Sequence, residues 1–114
     1  MTDLAAFNPA HVEEIWGQYP LDPILRVPAV EMHHIMKRSN PSDRKIMSSI
    51  FNCIPLSRTM HDSGYVHHDE LRQLFLRIAQ EKVMQAVHEK RYILVKHDIQ
   101  FKNFYLGSRS FNRS

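Results

Sequence analysis

Leu71, Leu74, Phe75, Ile78, Ala79, Val83, Ala86 and Val87 recur three or four residues apart, with charged side chains between them. That period predicts an amphipathic helix over residues 69–90. Upstream the apolar positions shorten into runs. Val27, Ala29, Val30 and Met32 lead into His33-His34-Ile35 and predict a strand over residues 27–35; Phe51, Cys53, Ile54 and Leu56 predict a second over 51–56. Between them Ser39-Asn40-Pro41-Ser42-Asp43 is a turn cluster flanked by Arg38, Arg44 and Lys45. It reads as a basic loop with room for one helical turn after Pro41.

Asn8-Pro9 is a helix start, the asparagine capping and the proline at the first helical position. Val12, Ile15 and Trp16 give that helix an apolar face, and Gly17 with Pro20 stops it. Residues 19–28 hold three prolines and read as an extended connector over one edge of the hairpin. Tyr92-Ile93-Leu94-Val95 is rich in β-branched and aromatic residues and predicts a further strand. Residues 101–106 are apolar enough to pack back on the core. Residues 1–8 read as a frayed terminus and 107–114 as a flexible tail. The elements sum to one small α+β domain over residues 1–114: a short helix, a β-hairpin and a long amphipathic helix.

Composition adds exclusions. Of 114 residues, 43% are hydrophobic and 24% charged, ordinary for a soluble globular chain. No long uncharged apolar run predicts a membrane span, and the first residues do not read as a signal peptide. Cys53 is the single cysteine, which excludes an internal disulfide and a CxxC zinc knuckle and points to a reducing, cytoplasmic setting. On its apolar strand Cys53 reads as a small buried hydrophobe, and Trp16, Phe75 and the methionines as core. A formal charge of +3 favours a polyanionic partner. The anomaly is histidine, present eight times.

His33 and His34 end the first predicted strand, Asn52 follows His34 by 18 residues, and His61 follows Asn52 by nine. Taken singly, each has a plain structural reading: a solvated pair, a turn residue, the start of a polar loop. Their joint spacing, Val30-x-x-His33-His34-Ile35 followed by Asn52-x3-Leu56-x4-His61, resembles the HNH endonucleases of ββα-metal architecture, over roughly residues 27–65. The resemblance implies metal-dependent hydrolysis or nicking of DNA. His33 and His61 would hold a divalent cation, His34 would be the general base for the attacking water, and Asn52 would fix the loop and hold His34 by a side-chain hydrogen bond. Lys37, Arg38, Arg44, Lys45 and Arg58 would meet phosphates, giving salt-dependent and largely sequence-independent binding. Stand-alone members are common in bacteriophages, so the resemblance also implies a phage-encoded protein acting in the host cytoplasm.

Two departures stand out. Many members carry Cys-x-x-Cys just before the His61 position, where Ser57 and Met60 stand here; many place another histidine four residues beyond it, where Tyr65 stands here. A third ligand would then come from His67, His68 or Asp62, or from phosphate and water, as Mg²⁺ accepts. An imidazole-rich site suits Zn²⁺, Ni²⁺ or Mn²⁺ instead. The departures keep an alternative in view: a catalytically inactive nucleic-acid-binding or host-interaction protein of the same fold. A homodimer, or a host or phage protein as partner, stays open.

Overall fold

In a computed structural model, which describes residues 7–37 and 44–106, helices surround one two-stranded antiparallel sheet. The elements run α1 (Pro9–Trp16), β1 (Glu31–His34), α2 (Arg44–Met47), β2 (Cys53–Leu56), α3 (Arg58–Asp62), α4 (Asp69–His88) and α5 (Lys96–Phe101). Short 3-10 turns at Ile50–Asn52 and Tyr65–His67 lead into β2 and α4, and a π-helical segment, Lys102–Leu106, follows α5. The α+β expectation holds.

α4 forms where the apolar period predicts it. Phe75, Leu76, Ala79, Val83 and Ala86 are buried on one face, and Asp69 and Glu70 sit favourably in the first turn. The helix packs on the Ile50–Asn52 turn, α1 and β2. It ends as Lys90 takes a left-handed φ of 65° and Arg91 N–H returns to the Ala86 carbonyl (2.8 Å), the αL-type ending usually made by glycine. α1 starts as expected: Asn8 Oδ1 accepts from Ala10 N–H (2.9 Å) with Pro9 at the first position. Phe51, Phe75, Phe101, Met47, Ile54, Leu56 and Leu106 fill the centre, so the segment 101–106 packs back on the core at its two ends while Phe104 stays exposed. Truncating a phenylalanine there would cost about 3–5 kcal/mol.

Three expectations need correction. The strands are shorter than 27–35 and 51–56, because only Glu31–His34 and Cys53–Leu56 find each other as partners. Ahead of β1 the chain is taken up by a tight turn instead: Asp22 N–H donates to the Val27 carbonyl (2.8 Å), Arg26 N–H to the Asp22 carbonyl (2.8 Å), and Val27 and Val30 stay exposed. Residues 92–95 are not a strand. Ile93 is 83% exposed, Tyr92 turns inward, and Val95 N–H donates to Asp98 Oδ2 (3.0 Å) at the start of α5. A β-prone run with no neighbouring edge to bond cannot become a strand. The helical turn expected after Pro41 is α2; the turn cluster 39–43, Arg38, residues 1–6 and the 107–114 tail lie outside the described residues.

Candidate active site

β1 and β2 pair Glu31 with Leu56, Met32 with Pro55, His33 with Ile54 and His34 with Cys53. Alternate residues of a strand share a face, so Glu31 travels with His33, and Met32 with His34. β2 then runs into Ser57, the N-cap of α3, whose hydroxyl oxygen accepts from Met60 N–H (3.2 Å). α3 carries His61 in its last turn. The outcome is a cluster at the junction of hairpin and helix: Glu31 Oε2 is 3.2 Å from His61 Nε2 and 3.9 Å from His33 Nδ1. His61 Nδ1 lies 3.3 Å from Asp62 Oδ1.

His33 is buried. Burial, then the positive charge of Lys37 and the neighbouring histidines 61, 67 and 34, pulls its pKa from 6.5 to about 4. Near neutral pH the imidazole is uncharged and keeps a lone pair, the form a metal ligand needs. The His34 ring is stacked on Phe7, with centroids 4.3 Å apart and planes 25° from parallel. The structure thus gathers His33 and His61 with Glu31, and places the His34 ring against Phe7, just ahead of α1.

Asn52 is fully buried and explains how the end of β1 is fixed. Its Oδ1 accepts from Met36 N–H (2.7 Å), its Nδ2 donates to the carbonyls of Met36 (3.0 Å) and Met47 (3.0 Å), and its own carbonyl accepts from Ile35 N–H (2.9 Å). These bonds close the bend directly after His34. Asn52 is therefore a clamp on the bend two residues beyond His34.

Two buried aspartates, unseen in the sequence, set the segments that carry the site. Asp22 Oδ2 accepts from Ser57 N–H (3.0 Å) and Ser57 Oγ–H (2.8 Å), while its Oδ1 accepts from Ile24 N–H (2.8 Å) and Leu25 N–H (2.9 Å). Burial alone would raise the Asp22 carboxyl, but the N–H groups of Leu25, Ser57 and Ile24 with the Ser57 hydroxyl outweigh it, and the pKa falls below the ordinary value. Asp98 does the same for the other segment: its Oδ1 accepts from Ser49 Oγ–H (2.6 Å) and Ile50 N–H (3.2 Å), and its Oδ2 from the Tyr92 hydroxyl. Burial, then this contact, raises the Tyr92 pKa. Each aspartate thus braces the serine N-cap ahead of a site residue: Ser57 before His61, Ser49 before Asn52. Ser57, at an expected cysteine position, is a cap; Met60, at the other, is core.

The remaining expected residues line the periphery. Lys37 is exposed and near enough to lower the His33 pKa, as is His67. Arg58 is exposed at the start of α3; Arg44 is half-buried and Lys45 exposed on α2. His68 stands edge-on to Tyr65 (5.3 Å, 88°), and Asp62 is exposed beside His61. Cys53 is buried, which raises its thiol pKa and leaves it inert.

Among the described residues no three His, Cys, Asp or Glu side chains form a ready-made metal cage. The nearest approach is the pair of imidazoles facing one Glu31 oxygen, at 3.2 and 3.9 Å. Ligands about 2.0–2.2 Å from a tetrahedral ion lie roughly 3.3–3.5 Å from one another, a spacing that the Glu31–His61 pair approaches and the Glu31–His33 pair exceeds. Glu31 is the residue that sequence reasoning missed, although its place two residues before His33 on a strand is the signal that finds it. No family, curated protein or solved structure matches the chain.

Proposed function

We propose that the chain is a metal-dependent phosphodiesterase that nicks or cleaves DNA, with a ββα-metal core made by β1, β2 and α3. The observation that carries this reading is the convergence of His33, His61 and Glu31 where hairpin meets helix. His33 and His61 would hold a divalent cation, with Glu31 as a third donor; the bound ion would supply charge stabilisation at the scissile phosphate. Uncharged His33 enters such a site without first losing a proton. His34, at the end of β1, would take the proton from the attacking water, and Asn52 would hold the bend that aims it. Lys37, Arg58 and Lys45 offer exposed cations for backbone phosphates, a contact that fades with salt.

One observation favours a second reading, a non-catalytic nucleic-acid-binding or host-interaction protein of the same fold: the His34 ring rests on Phe7 while Glu31 engages His61 Nε2. Supercoiled plasmid incubated with Mg²⁺, Mn²⁺, Ni²⁺ or Zn²⁺, and with chelator, separates the two. Metal-dependent nicking supports the nuclease. A gel shift without cleavage under any of these metals would retire it in favour of the binding protein.

A further inference from the structure

Tyr65 stands where the resemblance leads one to expect a metal ligand, yet the residue is 61% exposed and its ring stands against His68. Gly64 explains how it is presented: a left-handed φ of 83° turns the chain sharply out of α3, and the 3-10 turn then lifts Tyr65 to the surface. The turn is braced rather than loose. Tyr65 N–H donates to Ser63 Oγ (3.1 Å), and Arg72, paired with Asp69 (3.0 Å), donates from Nη2 to the His67 carbonyl (3.2 Å). His68 stands perpendicular to the Tyr65 ring, so the two form a fixed aromatic corner. A groove of about 490 Å³ opens beside it, lined by Met60, Tyr65, His68, Glu70, Leu71 and Leu74. That is the size of a small-molecule site, apolar with few polar groups. It begins one residue from each of His61 and His67.

We propose that this groove is a nucleobase subsite: it takes one unpaired base of a nucleic-acid strand, stacked on the Tyr65–His68 corner, while the strand's phosphate lies towards His61 and His33. The inference rests on the nuclease reading for its neighbour and adds the substrate class, single-stranded or frayed DNA. A base inside a duplex has both faces covered by its neighbours and cannot offer one to Tyr65. An unpaired base has a free π-face, and the apolar side of Met60, Leu71 and Leu74 matches it. The one carboxylate in the lining, Glu70, can accept from an exocyclic amine, a donor that thymine lacks and the other three bases carry.

The test reads binding, in chelator, so that cleavage plays no part. A fluorescein-labelled single strand of about 12 nucleotides, within the site sizes of such proteins, is compared with its blunt duplex by anisotropy. A parallel strand carrying 2-aminopurine reports stacking. Wild type should bind the single strand more tightly and quench 2-aminopurine. Tyr65→Ala should weaken single-strand binding about tenfold with duplex binding unchanged, in line with the worth of one stacked base, and Tyr65→Phe should restore it. Glu70→Gln should narrow the preference for cytosine over thymine strands. Equal weakening of single strand and duplex by Tyr65→Ala, or no quenching, would overturn the subsite. No plasmid cleavage with quenching intact would sink the nuclease reading and leave the subsite standing; no binding of either nucleic acid would overturn the subsite, while metal-dependent plasmid nicking would keep the nuclease reading.

Discussion

Asp22→Ala is the substitution whose cost can be worked most directly from the geometry. The carboxylate accepts four hydrogen bonds, two from the N–H groups of Ile24 and Leu25 and two from Ser57. Ile24 and Leu25 are 36% and 40% exposed, so water can replace the carboxylate at their amides. Ser57 is 3% exposed, and its N–H and hydroxyl would be left without a partner. An orphaned buried donor costs about 1–3 kcal/mol, and the hydroxyl can rotate to soften its share, so the loss should be about 3 kcal/mol. Against a total of about 5–15 kcal/mol that is a large fraction. At a urea slope of about 1–3 kcal/mol per molar, the midpoint should fall by roughly 1–3 M. Because Ser57 caps α3, metal affinity at His61 should weaken along with stability.

Asp22→Ala/Ser57→Ala should lose less than the two single variants together, by about 1 kcal/mol, because the double variant strands fewer donors. The pH dependence has a definite sign. The folded carboxyl has a pKa below the unfolded one, so its contribution is complete above the unfolded value of about 3.9 and disappears as pH falls through the folded value. Asp22→Asn should flatten that acid limb. An Asp22→Ala unfolding free energy within about 0.5 kcal/mol of wild type would refute the bracing role.

His33 follows the same proton bookkeeping at higher pH. Its pKa drops from 6.5 to about 4, so the unfolded chain binds the extra proton first, and the metal-free fold should lose up to about 3 kcal/mol as pH falls from 6.5 to 4. Urea unfolding in chelator across that range checks it, and His33→Asn should remove the slope. Asn52→Ala strands the Met36 N–H and two carbonyls in the core and should cost about 2–4 kcal/mol; Asn52→Asp should be no better, since a carboxylate would face the carbonyls of Met36 and Met47. Thermal unfolding of both variants measures this. Glu31→Gln, on a partly exposed side chain, should leave stability within about 0.5 kcal/mol and weaken metal binding about tenfold or more, as read by calorimetry; unchanged affinity would remove Glu31 from the ligand set.

What could be read from the chain was local. The eight apolar positions from Leu71 to Val87 define α4 because a helix needs only its own period, and Asn8-Pro9 marks α1 because capping is a matter of adjacent residues. The hairpin was legible in position, not in length: Val27 has strand propensity, but its carbonyl is taken by Asp22 N–H, and Val30 gives only its N–H to the Leu56 carbonyl (2.8 Å). The residues 92–95 fail as a strand for want of an edge, a fact held elsewhere in the fold. Asp22 and Asp98 were invisible for the same reason. Each makes its decisive bond with a serine, Ser57 or Ser49, that is distant in sequence, and neither spacing has a period to betray it. His33, His61 and Asn52 could be picked out by spacing; that Asn52 spends its amide on Met36 and Met47 could not.

The most direct test pairs His34→Ala with His61→Ala and measures two quantities on each, metal affinity by calorimetry and the initial rate of plasmid nicking. The account predicts that His34→Ala binds metal as wild type does and nicks roughly 100-fold or more slowly, the usual worth of a general base. His61→Ala should lose both. Nicking by His34→Ala at the wild-type rate, or metal affinity unchanged in His61→Ala, would contradict it.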